Sequence, residues 1–293
     1  MSENTLRGIA LMIGATVVFS LSDTLSKQLV THYPAVQVAW LRYLTFALLA
    51  ATPALRHGPV ALRTRKPLQQ ILRGCGIGSS SVLFVFGLAH MPLPEAAAVS
   101  FATPLFTVLL AMVFLGERVD ALGWAALVAG FGGVLIVVRP GLDGFDFGAL
   151  YVLGSSIAWA IAMILTRRFA GTERPTATLF WTASTGLALL SVMLPFSLAP
   201  MSLGHIVFAC SVGIVAGAGQ WLAVLAYRHA PASTLAPLSY GQLIWSSVFG
   251  FIAFDSVPTA HTLLGAVIIV AAGLTTIQRE RRRLRATTQS RTA

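Results

Sequence analysis

The stretch AAAVSFATPLFTVLLAMVFLG, residues 96–116, carries no formal charge along its whole length. Wound as a helix it spans about 30 Å, the thickness of a bilayer's hydrocarbon core. Residues 230–254 form a second uncharged run. Working outward from these two, similar apolar segments fall at 7–29, 35–55, 71–91, 95–115, 121–138, 147–167, 177–198, 205–227, 232–254 and 261–278. None shows the short, strictly alternating pattern of a transmembrane β-strand. Lipid offers no partner to open backbone groups, so each segment is expected to be a helix, giving an all-α membrane protein with ten transmembrane helices.

Composition agrees. Hydrophobic residues make up 56% of the 293, and charged residues only 10%, against roughly 25% in a soluble domain. The net charge of +10 would suggest nucleic acid in a soluble chain. Here the basic residues lie between apolar runs, where they set orientation instead. With the N-terminus cytoplasmic, 17 of the 20 Lys and Arg fall on the cytoplasmic side, the exceptions being Lys27, Arg42 and Arg139. Both termini are therefore expected in the cytoplasm, with a basic tail at 279–293. Cys75 and Cys210 lie inside apolar runs and fit neither a disulfide framework nor a zinc spacing. The first segment keeps Asp23 and Lys27 and lacks a small-residue cleavage site, so it is expected to remain as span 1.

The halves 7–139 and 147–278 match at a shift of 139–141 residues. Gly8 pairs with Gly148, Lys27 with Arg167, Pro34 with Pro175 and Trp40 with Trp181. Gly74 and Gly78 pair with Gly213 and Gly217, and His90 and Pro92 with His229 and Pro231. Five spans is an odd number, so the second half must enter the bilayer from the opposite side. The expected architecture is two inverted five-helix repeats around a central cavity, an arrangement that gives a route to alternating access.

The segments LRGIALMIGATVVFSLSDTLSK (6–27), WLRYLTFALLA (40–50), PLFTVLLAMVFLGERV (104–119) and WAALVAGFGGVLIVVRPG (124–141) resemble the EamA repeat of the drug/metabolite transporter superfamily. YRHAPASTLAPLSYGQLIWSSVFGFIAFDSVP (227–258) resembles the matching part of a second repeat. The resemblance implies ten helices, a central cavity and transport of a small molecule. The family's Gly-Glu turn is present as Gly116-Glu117, whereas the second half has Asp255-Ser256. A loop-capping role suffices for Glu117.

Ionisable groups are costly inside a bilayer, by roughly 2.5–3.5 kcal/mol each. Asp23 in span 1 and Arg42 in span 2 both lie roughly 5 Å beyond the midplane. The second half has Met163 and Ala183 at these places, so both charges are absent together. They are read as a pair, either a structural salt bridge or a substrate or proton site. Lys27 shares a helix face with Asp23 and is expected to snorkel to the outer interface. Pro104 and Pro237 remove backbone donors in spans 4 and 9, freeing the carbonyls of Ser100 and Ser233 for a polar ligand. Ser100, Thr103, Tyr240, Gln242 and Trp245 surround these breaks. Ser81, Trp159 and Gln220 complete the candidate substrate-binding set from spans 3, 6 and 8. Such residues suit a neutral, zwitterionic or planar solute, although small polar residues also hold membrane helices together.

No nucleotide motif, metal spacing or cofactor site is present. GCGIGSSS (74–81) has no lysine and lies within a helix, so it is no phosphate loop. A secondary active transporter of the inner membrane is expected, exporting a small polar or amphipathic metabolite. The alternative is uptake of a riboflavin-like vitamin or a nucleoside derivative. An intramembrane enzyme would need two deep aspartates or a histidine at serine depth, and the sequence has neither. The expected partners are the small-molecule substrate, membrane lipids and protons as coupling ion. Homodimer formation is left open, and no nucleic acid is expected.

Overall fold

The computed structural model describes residues 3–116, 121–138, 147–169, 174–230, 235 and 238–292. All regular structure among them is helical: α1 (Glu3–Val30), α2 (Ala35–His57), α3 (Pro67–His90), α4 (Leu93–Ser100), α5 (Thr103–Leu115), α6 (Ala121–Val138), α7 (Phe147–Phe169), α8 (Pro175–Met193), α9 (Leu203–His229), α10 (Gly241–Phe254) and α11 (Ala260–Thr292). Eight helical segments are long and apolar enough to cross a membrane, one of them combining α4 and α5. Gly241–Phe254 and Ala260–Thr275 are shorter apolar helices. This is a ten-helix membrane protein.

Local chemistry sets the boundaries. Pro67 and Pro175 open α3 and α8 at positions where a missing N–H costs nothing. α5 and α10 end at matching places, on Gly116 (φ 66°) and Asp255 (φ 52°). Asp255 is the one positive-φ residue other than glycine among the described residues. Some boundaries differ from the sequence expectation. The span placed at 177–198 ends at Met193, because Pro195 supports only a short 3-10 turn over Leu194–Phe196. The break expected from Pro104 divides span 4 into two helices, with Phe101 and Ala102 tightened into bonds to Ala98 and Val99. The last helix does not stop at 278 but runs on to Thr292, through arginines, leucine and alanine that favour helix.

Packing exchanges the two halves. α1 lies on α9 as α7 lies on α3, and α2 lies on α9 as α8 lies on α3. α10 meets α1 as α5 meets α7, while α6 packs on α11 and α2 on α8 across the centre. Repeat-related glycines make the crossings close. A Cβ at Gly78 would stand 2.9 Å from Gly186 Cα, and one at Gly74 2.7 Å from Thr185 Cβ. On the other side, a Cβ at Gly213 would stand 2.5 Å from the Arg42 carbonyl oxygen. Small residues at such crossings are how membrane helices gain contact without a hydrophobic drive. One further pair acts alike. His90 and His229 each bond through Nδ1 to the carbonyl four residues earlier, Phe86 and Leu225, both at 2.8 Å.

Candidate functional site

The site is built on α1, whose middle carries the buried polar residues Thr16, Ser20, Ser22, Asp23, Thr24 and Ser26. Several are satisfied within the helix: Thr24 donates to Ser20 O (2.7 Å) and Ser26 to Ser22 O (2.8 Å). Asp23 reaches outward instead. Arg42 Nη1 of α2 stands 3.7 Å from its Oδ1, with only 15% and 10% of the two side chains exposed. Gln242 Nε2 of α10 donates to Oδ2 at 3.1 Å. Ser20 then donates to the Gln242 carbonyl at 3.0 Å, which anchors α10 to α1 a second time. Asp23 thus ties together one helix from the second half and two from the first. Gly213 of α9 lets the backbone at Arg42 come close, which fixes the depth of the guanidinium.

Beside this pair lies a cavity of about 60 Å³. Arg42 forms one wall, Ser81, Trp159 and Gln220 supply polar groups, and Phe19, Tyr43, Phe46, Ile77 and Ala216 complete it. Tyr43 is held by a bond to Ile77 O (3.3 Å). A space of this size admits a few waters, whereas drug-sized ligands occupy about 300–1,000 Å³. The helices around it must part to hold an organic metabolite.

Of the residues singled out in the sequence, Arg42, Ser81, Trp159 and Gln220 meet at this cavity. Asp23 and Gln242 join it through Arg42. The others lie elsewhere. Ser100 and Thr103 sit at the α4–α5 break, where the freed Ser100 carbonyl accepts from Thr103 Oγ1 (2.7 Å) and Ser156 Oγ (3.3 Å). The protein itself supplies the donors that a ligand was expected to provide. Tyr240 is buried and stacks on Phe101, ring centroids 4.9 Å apart. Its hydroxyl lies over Gly273, where no Cβ would fit, and has no hydrogen-bond partner among the described residues. Trp245 packs on Phe249, ring centroids 6.3 Å apart. Ser233, Pro237 and Glu117 lie outside the described residues.

Lys27 finds its partners at the end of α3. Its Nζ donates to the carbonyls of Leu88 (2.9 Å) and Met91 (2.7 Å) at the C-terminal end of α3, with the Phe254 ring centroid 5.6 Å away. The negative end of a helix dipole and two open carbonyls hold it there. The sequence reading missed the aromatic walls. Phe19 precedes Asp23 by four residues, Phe46 follows Arg42 by four and Tyr43 adjoins it. Helical spacing from the two charges would have found the two phenylalanines but not Tyr43.

A model of the EamA-like transporter family matches residues 6–139 and again 146–277. The chain belongs to that family. It is 29% identical over 282 residues to an S-adenosylmethionine uptake transporter of Rickettsia prowazekii, covering 94% of each chain. It is 30% identical over 287 residues to a riboflavin transporter of Rhizobium johnstonii, covering 95% of this chain and 93% of the other. A pseudopaline exporter of Pseudomonas aeruginosa is 26% identical over 267 residues, with 90% and 94% covered. One solved crystal structure superposes with a TM-score of 0.62 over 96% of this chain and 99% of its own, at 20% identity, a likeness of fold. As a member of this family the protein is a multi-pass membrane transporter, and small-molecule transport is the chemistry its site must serve.

Proposed function

We propose that the protein is a secondary active transporter that carries a small organic metabolite, with a planar or aromatic portion and a polar or zwitterionic one, by alternating access. The observation that carries this reading is the convergence of Asp23, Arg42 and Gln242 with Tyr43, Trp159 and Phe46 at the junction of the two halves. An ion pair beside flat aromatic walls suits a solute with both kinds of surface. The repeats 7–139 and 147–278 are the moving bodies. The chain sits in the inner membrane with both termini and the 279–293 tail in the cytoplasm, as the positive-inside rule favours.

Asp23 serves as the coupling site. Protonation removes its charge and frees Arg42 for the solute, and deprotonation restores the pair. Purified protein in liposomes should show saturable, trans-stimulated flux whose rate depends on pH. Asp23→Asn should lose that dependence. Flux by Asp23→Asn with the parent's pH profile would sink the proton role, and turnover without flux would sink the carrier.

The sequence alone suggested export. The relative named for S-adenosylmethionine uptake, at 29% identity over nearly the whole chain, favours inward transport as a second reading, whereas the one named for pseudopaline export, at 26%, agrees with export. Comparing uptake by cells with and without the protein, with riboflavin and S-adenosylmethionine as first probes, decides between them.

A further inference from the structure

The inverted repeat contains its own control. The seam between α3 and α8 is related by the repeat to the seam between α9 and α2, so each residue in one has a counterpart in the other. In the second seam, Leu41, Val38, Ala209 and Val212 form a buried apolar cluster with Leu29. That seam is closed by hydrophobic packing. In the first seam the same places hold Thr182, Leu179, Gln70 and Arg73. Arg73 Nη1 donates to Thr182 Oγ1, and Gln70 Nε2 donates to Thr178 Oγ1 at 3.2 Å. The counterpart of Thr178, Gln37, turns away to bond both backbone groups of Ala199 at 2.9 Å.

The twin shows that Val and Leu suffice to close such a seam. A guanidinium there adds desolvation cost without being needed for packing. Nor is it needed for orientation, since Arg63 and Arg65 nearby are exposed to serve that purpose. The seam is also unlike a finished structural network. Gln70 is 6% exposed, yet its Oε1 has no partner among the described residues, where a lock would satisfy it. Arg73 is four residues before Ile77 and eight before Ser81, both of which line the central cavity. All three therefore lie along one stripe of α3, with Arg73 about 6 Å from Ile77 along the axis. Tyr43, another wall residue, lies within electrostatic range of both Arg42 and Arg73.

We infer that Arg73, oriented by Thr182, is an anion subsite at the end of the central cavity, and that it takes a carboxylate or phosphate carried by the transported solute. Planar guanidinium and oxyanion match in two parallel hydrogen bonds, which a lysine reproduces in charge but not in geometry. This rests on the carrier reading and assigns one end of its substrate.

The test uses the full chain in nanodiscs of neutral lipid, with inorganic phosphate and acetate as probes against chloride at matched ionic strength. Either oxyanion should raise the Tm of the parent by about 2 °C or more at saturating concentration. Arg73→Val places the twin's Val212 side chain at this position, so it should keep the parent Tm in chloride and lose the oxyanion response. Arg73→Lys should keep part of it. No oxyanion response in the parent, or an undiminished one in Arg73→Val, overturns the subsite. A response that disappears when phosphatidylglycerol is added assigns the site to a lipid headgroup and overturns the solute assignment. Absence of flux for every solute in liposomes would fail the carrier reading while leaving the phosphate response of Arg73 standing, so the two failures are distinct.

Discussion

α1 and α7 hold equivalent places in the bundle, one lying on α9 and the other on α3. They meet their neighbours through similar small residues: a Cβ at Gly8 of α1 would approach the Ala226 carbonyl (3.2 Å), and one at Gly87 of α3 would approach the carbonyl of Gly148 in α7 (3.3 Å). Yet α1 carries Asp23 where α7 carries Met163, and α2 carries Arg42 where α8 carries Ala183. The same packing is thus achieved with and without an ion pair. What distinguishes the two halves is chemistry added to a scaffold that does not require it, which is the pattern expected if motion is symmetric and coupling is not.

The comparison can be broken most sharply by making the halves alike. Asp23→Met with Arg42→Ala copies the second half into the first. Transport should fall more than tenfold, while stability changes by less than about 1 kcal/mol, since replacing both members of a buried pair is often nearly neutral. Removing Arg42 alone leaves an uncompensated buried carboxylate and should cost about 3–5 kcal/mol. Thermal unfolding of the two variants beside liposome flux checks both figures. If the double variant transports normally, the pair is structural.

A smaller effect is expected where glycine fixes the depth of the pair. Gly213→Ala would press a methyl against the Arg42 carbonyl, costing about 1–3 kcal/mol by overpacking and displacing the guanidinium. Gly132→Ala, with open space around it, is the control and should be neutral. Smaller again is Ser156→Ala. It removes one of two donors to the Ser100 carbonyl and should cost about 1 kcal/mol, with solute affinity unchanged. The smallest effect should be a gain. Asp255→Gly gives α10 the cap that α5 already has in Gly116, relieving a left-handed backbone, and should add about 0.5–1 kcal/mol. A loss there would mean that the Asp255 carboxylate has a role of its own.

Much of this was legible in the sequence because its signals are local or periodic. The spans follow from uninterrupted apolar runs. The break in the fourth follows from Pro104, and the common depth of Asp23 and Arg42 from counting residues. What was not legible depends on which helices meet. Gln242 lies 219 residues from Asp23, and no periodicity joins them. Read along its own helix Gln242 is a polar residue in a cavity, whereas packing makes it a ligand of the carboxylate. The partners of Lys27 are hidden for the same reason, being carbonyls at the end of a helix some sixty residues further on. Ser100 and Thr103 were assigned to a substrate because Pro104 frees a carbonyl, and Ser156, the donor from another helix, was out of view.

At Gly78, where α3 crosses α8, and at Gly213, where α9 crosses α2, the backbone of one helix lies directly against the backbone of its neighbour. A knob-and-hole contact must be prised apart before it can move, and each rotamer must find a new seat. A smooth contact of this kind works as a bearing. The helices can rock through small angles while staying in touch, and a methyl added at Gly78, unlike one at Gly213, would stiffen the rocking without pressing on the Arg42 backbone.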